Sequence, residues 1–194
     1  MKAPFAIVLG ALPLAACISF GAKPPEALLT LTSATSVPVG QVQSSANARG
    51  LQIGIPVTPA SLATARVPVR SGETSLAYVK DALWAEPPAR LFARLLSDTV
   101  SARTGRVVLS EIEAIDAPGG QLSGELREFG IDAARRQAVV TFDAALRRDP
   151  AGPVEKRRFE ARAPVQAIDA ENAGSALNGA ANQVAAEVAD WVGR

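Results

Sequence analysis

The sequence contains no histidine and one cysteine, and its single methionine is the first residue. Nucleophilic systems of the Ser-His-Asp and Cys-His types need an imidazole base, so they are excluded. Common zinc sites use histidine or cysteine, and haem usually takes an axial histidine, cysteine or methionine. A lone cysteine also forms no disulfide within the chain. We therefore expect no metal and no cofactor.

The chain also lacks the residue patterns of the remaining enzyme classes. Its acidic residues are scattered, and Ser75 and Lys80 lie too far apart for a Ser-x-x-Lys dyad. The formal net charge is only +1, so there is no electrostatic case for a nucleic-acid partner. We expect a protein that is not an enzyme. A hydrolase that uses carboxylates is the alternative, and it requires two acids converging in one pocket.

The one cysteine follows a pattern typical of a secretion signal. Met1 and Lys2 form a short positive region, an apolar run follows at residues 3–14, and the small residues Ala15 and Ala16 precede Cys17. This order resembles a bacterial lipobox, in which the cysteine sulfur receives a diacylglycerol and the new N-terminus is acylated. It predicts a signal peptide at residues 1–16 and a lipidated tether at residues 17–27.

Three alternatives for this segment are weaker. A transmembrane helix needs about 20 apolar residues, whereas this run is shorter and contains Pro13. An ordinary signal peptide with a chance cysteine and a cytosolic start with a buried cysteine are the others. Ile18, rather than an aspartate, follows the cysteine, which favours the outer membrane over the inner one. We expect the body to face the periplasm.

Residues 28–194 have the size and apolar content of one domain. Alternation and turn signals predict strands, and helical periodicity predicts a helix that opens at Pro87 and Pro88 and ends at Gly105. A long alanine-rich helix is predicted over 169–192. The expected fold class is α+β: a mixed, mostly antiparallel sheet covered by two principal helices. The predicted strands are residues 28–32, 51–57, 66–70, 75–79, 106–110, 122–131, 138–147 and 158–163.

Two details of this fold follow from the pattern. The apolar residues change parity between Leu126 and Phe129, which predicts a bulge or bend. The strands at 138–147 and 158–163 are predicted to form a hairpin with a long connection. Residues 33–50 have few apolar anchors and are predicted to be a loop.

Five side chains are candidates for contact with a partner. Trp84 precedes the first helix, where packing against the sheet is the alternative to binding. Arginine pairs flank the predicted hairpin connection and would form a basic rim, unless they are ordinary solvated turn ends. These candidates are Trp84, Arg147, Arg148, Arg157 and Arg158.

The order of these elements resembles the ABC-type transport auxiliary lipoprotein family, the PqiC-like lipoproteins. Four stretches carry the resemblance. They are the lipobox Leu14-Ala15-Ala16-Cys17, the segment 53–70, the Trp84-Ala85-Glu86-Pro87 motif that opens a helix, and the alanine-rich helix at 173–191. In the family, a Trp-Ala-Glu-Pro-like signature is the most recognisable local feature.

The resemblance implies a function. Family members look like lipid-anchored periplasmic partners of lipid transport systems in which an inner-membrane ABC transporter works with MCE-domain proteins. On that basis the protein docks a lipid conduit at the outer membrane and performs no covalent chemistry. Its partners would be an MCE-domain protein, the ABC transporter and, since some members form rings, other copies of itself. A scaffold or activator lipoprotein of another envelope assembly machine is the alternative.

Overall fold

A computed structural model describes residues 27–45, 50–109, 113 and 119–193. It confirms the predicted α+β class, with seven strands in one mixed sheet and two long helices. Cys17, the predicted signal peptide and the start of the tether lie outside the described residues. The strands are β1 (Leu51–Ile53), β2 (Arg66–Arg70), β3 (Leu76–Leu83), β4 (Val108–Leu109), β5 (Gly120–Asp132), β6 (Gln137–Arg147) and β7 (Val154–Pro164); the helices are α1 (Pro88–Thr104) and α2 (Ala170–Val192).

The longest strand, β5, organises the sheet. One of its edges pairs antiparallel with β6, which pairs antiparallel with β7. Its other edge pairs in parallel with β1 near its start and with β2 near its end. Strand β4 adds to β1, and β3 adds to β2. Parallel and antiparallel pairs therefore both occur, and the antiparallel ladders at β5, β6 and β7 are the longest.

The β5–β6 ladder shows the predicted irregularity. Its register shifts between Leu126 and Glu128, so the strand carries an extra residue where the apolar parity changes. The shift keeps both Leu126 and Phe129 buried, although they are three positions apart, an odd spacing that would place them on opposite faces of a regular strand. The hairpin between β6 and β7 also forms as predicted, and its connection ends at Val154.

Both helices begin and end where the sequence predicts. Pro88 opens α1, and Gly105 follows its last turn with φ +69°, a left-handed conformation that glycine adopts without strain. The Asp169 side chain accepts a hydrogen bond from the backbone N–H of Asn172 and caps α2. That bond holds the pKa of Asp169 below its ordinary value.

The core lies between the helices and one face of the sheet. Its aromatic rings contact each other edge to face: Trp84 with Phe129, Phe129 with Phe92, and Phe92 with Phe142. Five alanines of α2 are also buried, and small side chains let this helix approach its neighbours closely. These alanines are Ala173, Ala180, Ala181, Ala185 and Ala189.

The predicted strand at 28–32 is wrong. Within it, only Leu29 pairs with a strand-like partner, through an isolated bridge to Trp84. Beyond that bridge, backbone groups of the segment bond to side chains of α2. The backbone N–H groups of Thr32 and Ala34 donate to the side-chain amide oxygens of Asn178 and Asn182, respectively.

Several other predicted strands differ from the structure in length, and β7 is extended most, since it starts at Val154 rather than at residue 158. Strand β1 is interrupted after Ile53 and resumes only as a bridge at Val57, on the far side of Pro56, which has no N–H to donate. Strand β3 is longer than predicted and runs to Leu83. Strand β4 has only two residues, and residue 110 lies outside the described part of the chain.

In the part of the chain that the structure describes, no helix combines the length and apolar character needed to span a bilayer.

Candidate interaction surfaces

Trp84 lies in the core. Its side chain is 2% exposed, and its ring meets that of Phe129 at 5.5 Å between centroids. Among the described residues, its indole N–H has no hydrogen-bond acceptor. Its backbone N–H donates to the Ala65 carbonyl at 2.7 Å, and Ala85 donates to the Leu29 carbonyl at 2.8 Å. This position favours packing for Trp84, at the junction of the N-terminal segment, the sheet and α1.

The rest of the Trp84 motif fixes the start of α1. Glu86 forms an ion pair of 2.7 Å with Arg94, which lies about two turns further along the chain. Pro87 and Pro88 follow, and neither needs a partner for a backbone N–H. The motif therefore connects the end of β3 to α1 and fixes the first turn of that helix.

The four candidate arginines lie on different sides of the sheet. Strand alternation places Arg148 and Arg157 towards the helices, while Arg147 and Arg158 lie on the opposite, open face. Arg158 pairs with Asp143, and Arg157 lies over the Phe159 ring at 4.9 Å. They form two basic regions rather than a single rim, and Arg157 and Arg158 are the more exposed pair.

Arg148 holds the end of α2 against the β6–β7 connection. Its guanidinium donates to the carbonyls of Trp191 and Val192, each at 3.1 Å, which are among the last carbonyls of the helix. The same group pairs with both carboxylate oxygens of Glu155, at 2.7 and 3.3 Å. That pairing lowers the pKa of Glu155. Arg148 is thus a structural clamp, with a cation placed at the negative end of a helix.

The open face of β5, β6 and β7 carries a ladder of opposite charges. Asp143 accepts from Arg158 at 2.7 Å and lies 3.5 Å from Arg127. Arg158, and then Arg127, lowers the pKa of this carboxyl. Two residues further along β7, at the next position on this face, Glu160 pairs with Arg162 at 2.8 Å and accepts a hydrogen bond from the Thr141 hydroxyl. This face offers a polar, patterned surface that is largely neutralised within itself.

The N-terminal segment crosses the helix layer. The Asn182 side chain donates to the Thr32 carbonyl and accepts from the Ala34 N–H at 2.7 Å. Leu29 packs where Gly174 has no side chain, 2.7 Å from the place a Cβ would occupy. Gly174, Asn178 and Asn182 are spaced by four, so they share one face of α2. This spacing could have indicated that the N-terminal segment packs along one face of α2, but it was not identified from the sequence.

Little in the described residues points to chemistry. In residues 27–45, 50–109, 113 and 119–193, no group of three or more His, Cys, Asp or Glu side chains is placed to hold a metal ion. One carboxyl there is disfavoured in its charged form: burial raises the pKa of Asp98 on α1. Asp98 lines a groove beside Val37, Ile53 and Leu109.

Two solved structures share this fold. The crystal structure of a protein from Xanthomonas campestris, XCC0632, of the family DUF330, superimposes with a TM-score of 0.69 at 21% identity; the match covers 85% of this chain and 93% of that one. The crystal structure of an uncharacterised protein gives 0.65 at 21% identity, over 74% and 92% of the two chains. A PelC dodecamer from Paraburkholderia phytofirmans matches weakly, with a TM-score of 0.38 at 16% identity over 72% and 90%.

No curated protein matches the sequence. The sequence profile described as "ABC-type transport auxiliary lipoprotein component" matches residues 30–189, from the N-terminal segment to the last turn of α2. That span includes the Trp84 motif, the whole sheet and the face of α2 that carries Gly174, Asn178 and Asn182. The chain therefore belongs to the family of ABC-type transport auxiliary lipoprotein components.

Proposed function

We propose that this protein is a lipid-anchored periplasmic component of an MCE/ABC-type lipid transport system, which docks the conduit at the outer membrane. The family match over residues 30–189 is the observation that carries the proposal. Cys17 in its lipobox supplies the attachment, and Ile18 after it favours the outer membrane. In this proposal the protein positions a partner and does no covalent chemistry.

The anchor is strong enough for such a role. Each buried methylene contributes about 0.8 kcal/mol, and two acyl chains already give stable membrane attachment. A cysteine that carries a diacylglycerol and an N-acyl chain therefore stays in its membrane. In this proposal the domain remains attached to the outer membrane when it binds its partner.

The exposed basic residues are the proposed partner contacts. Arg157 and Arg158 follow each other on β7, which pairs only with β6 among the described strands, and they face opposite sides of the sheet. Arg147 adds to the open-face side. Arg148 contributes less to this role, because its guanidinium is engaged by Glu155 and the end of α2. By contrast, Arg158 keeps 58% of its side chain exposed although it pairs with Asp143. A partner with acidic side chains fits this surface.

Crosslinking in intact membranes tests the proposal. The lipidated protein is purified with its crosslinked partners, which are identified together with any co-purifying lipid by mass spectrometry. We expect an MCE-domain protein, and mass photometry of the same sample measures whether the protein forms rings. Arg147→Glu combined with Arg157→Glu should weaken the crosslink, whereas the matched exposed control Lys80→Glu should not.

The alternative is a scaffold or activator of another envelope machine. Crosslinks to cell-wall or outer-membrane assembly proteins, with no MCE-domain protein recovered, would support that role and contradict the lipid-transport proposal. Gene neighbourhood separates the two roles as well. A gene for an MCE-domain protein or an ABC permease beside this one favours lipid transport.

A further inference from the structure

The described part of the chain begins with an uncharged segment. Residues 27–48 contain no Asp, Glu, Lys or Arg, although one fifth of the whole chain is charged. Within it, residues 34–42 form a loop between two points of attachment, called here the strap loop. The strap loop therefore has no charged side chain with which to pair a charged partner.

Both ends of the strap loop are bonded to the same turn of α1. The Ser33 hydroxyl lies 3.1 Å from the Thr99 hydroxyl, and the Ser101 hydroxyl donates to the Gln43 amide oxygen at 2.8 Å. Thr99 and Ser101 differ by about 3 Å in height along the helix. Two side-chain hydrogen bonds to one turn of α1 therefore close the base of the loop.

The middle of the strap loop is a turn that exposes valine. Gln41 donates to the Pro38 carbonyl at 3.1 Å, and Gly40 has φ +84° at the third position of this turn. Val39 is 106% exposed and Val42 is 89% exposed. The turn thus holds two apolar side chains in water, and among the described residues nothing covers them.

We infer that the strap loop inserts Val39 and Val42 into the surface of the membrane that holds the Cys17 lipid. The inference goes beyond the proposed transport function but rests on its lipid anchor. The chain between Cys17 and Ala27 extends to at most about 35 Å, and the strap loop begins seven positions after Ala27. An apolar, uncharged tip enters the interfacial region of a lipid layer without burying a charge. The strap loop thus gives the anchored domain a second, weaker contact that sets its orientation.

A fluorescent probe at residue 39 tests this inference. Acylation occupies the only native thiol, so Val39→Cys in the full, lipidated chain is labelled at one position with an environment-sensitive fluorophore. The protein is reconstituted into vesicles of phosphatidylethanolamine and phosphatidylglycerol. We expect a shift of the emission to shorter wavelength and quenching by spin-labelled lipid. Val154→Cys at the start of β7, where the native side chain is 48% exposed, is the matched control and should remain water-like.

A second substitution asks whether the shift depends on insertion. Val42→Asp in the labelled Val39→Cys protein should return the emission to its water-like value, because an aspartate resists entry into lipid. Val154→Asp in the same labelled protein should leave the shift unchanged. Since both valines are fully exposed, circular dichroism should show the same fold in each variant.

Two results would overturn the inference. The first is a water-like emission at residue 39 in vesicles; the second is a shift that appears only when a protein partner is added, which would assign the strap loop to that partner. Mass spectrometry of the N-terminal peptide is measured first. If Cys17 carries no lipid, the anchoring proposal fails separately, and Cys17→Ser with Val39→Cys then tests insertion without an anchor.

Discussion

The two faces of the sheet differ most clearly along a single strand, β6. Towards the helices, its alternate residues Ala138, Val140, Phe142, Ala144 and Leu146 are each at most 2% exposed. The residues between them face the open side, where Thr141 and Asp143 meet charged side chains of β5 and β7. The two long helices thus cover the first face, whereas the second carries charged side chains of the neighbouring strands.

The difference shows how a sheet with one open face manages its polar side. Thr141 is 4% exposed although no helix covers it, because it lies between Glu128 and Glu160 of the neighbouring strands. Long charged side chains cover such positions with their aliphatic parts while their charged ends reach water. The helix-covered face therefore provides most of the stability, and the open face provides a polar surface that remains hydrated.

The largest predicted effect is on the covered face. Phe142 lies opposite Leu126 and Phe159 and contacts the Phe92 ring at 5.3 Å between centroids. Phe142→Ala leaves a cavity there and should lower the free energy of unfolding by about 3–5 kcal/mol. Urea unfolding followed by circular dichroism measures this loss.

The adjacent residue on β6 is the natural control for that experiment. Asp143→Ala changes the next position of the same strand, but on the open face, and should cost no more than about 1 kcal/mol. Equal losses for the two variants would contradict the distinction between the faces.

Periodicity was enough to predict most of this architecture. Strict alternation along β6 identified the covered face, and the parity change between Leu126 and Phe129 located the bulge. Proline and glycine located the two ends of α1. These signals are local, because they depend only on a residue and its near neighbours.

The features that the sequence did not reveal depend on contacts between distant residues. Residues 28–32 have a strand-like composition, yet only Leu29 pairs with another backbone, and the partners of Thr32 are side chains about 150 positions away, Asn178 and Asn182. The same is true of Arg148, whose role depends on the end of α2 lying beside it. At Gly119 a Cβ would lie 2.1 Å from the Gly50 carbonyl oxygen, so two backbone segments that are distant in the sequence meet there.

An intermediate effect is expected at the β6–β7 connection, where the two faces meet. Arg148→Met keeps much of the side-chain volume but removes the donors to the Trp191 and Val192 carbonyls and should lower the free energy of unfolding by about 1–2 kcal/mol. Arg147→Met changes the neighbouring residue on the open face and should stay within about 0.5 kcal/mol. Thermal unfolding compares the two variants, and a larger loss at Arg147 would show that the clamp is misassigned.

The smallest effect is on the open face, and pH makes it measurable. Pairing with Arg158 lowers the pKa of Asp143 in the folded state, so the charged carboxylate contributes stability above its unfolded pKa. That contribution is lost as the pH falls through the lowered folded value. Asp143→Asn should therefore lower the free energy of unfolding by about 0.2–1 kcal/mol at pH 7 and low salt.

The deficit of Asp143→Asn should shrink as the pH falls below about 4, since protonation removes the same ion pair from the wild type. One molar salt at pH 7 should shrink it as well, because the pair is partly exposed and therefore screened. Urea midpoints at the three conditions provide the test. A deficit that persists at low pH and in high salt would mean that Asp143 acts through packing, and the open face would then be held together in the same way as the covered one.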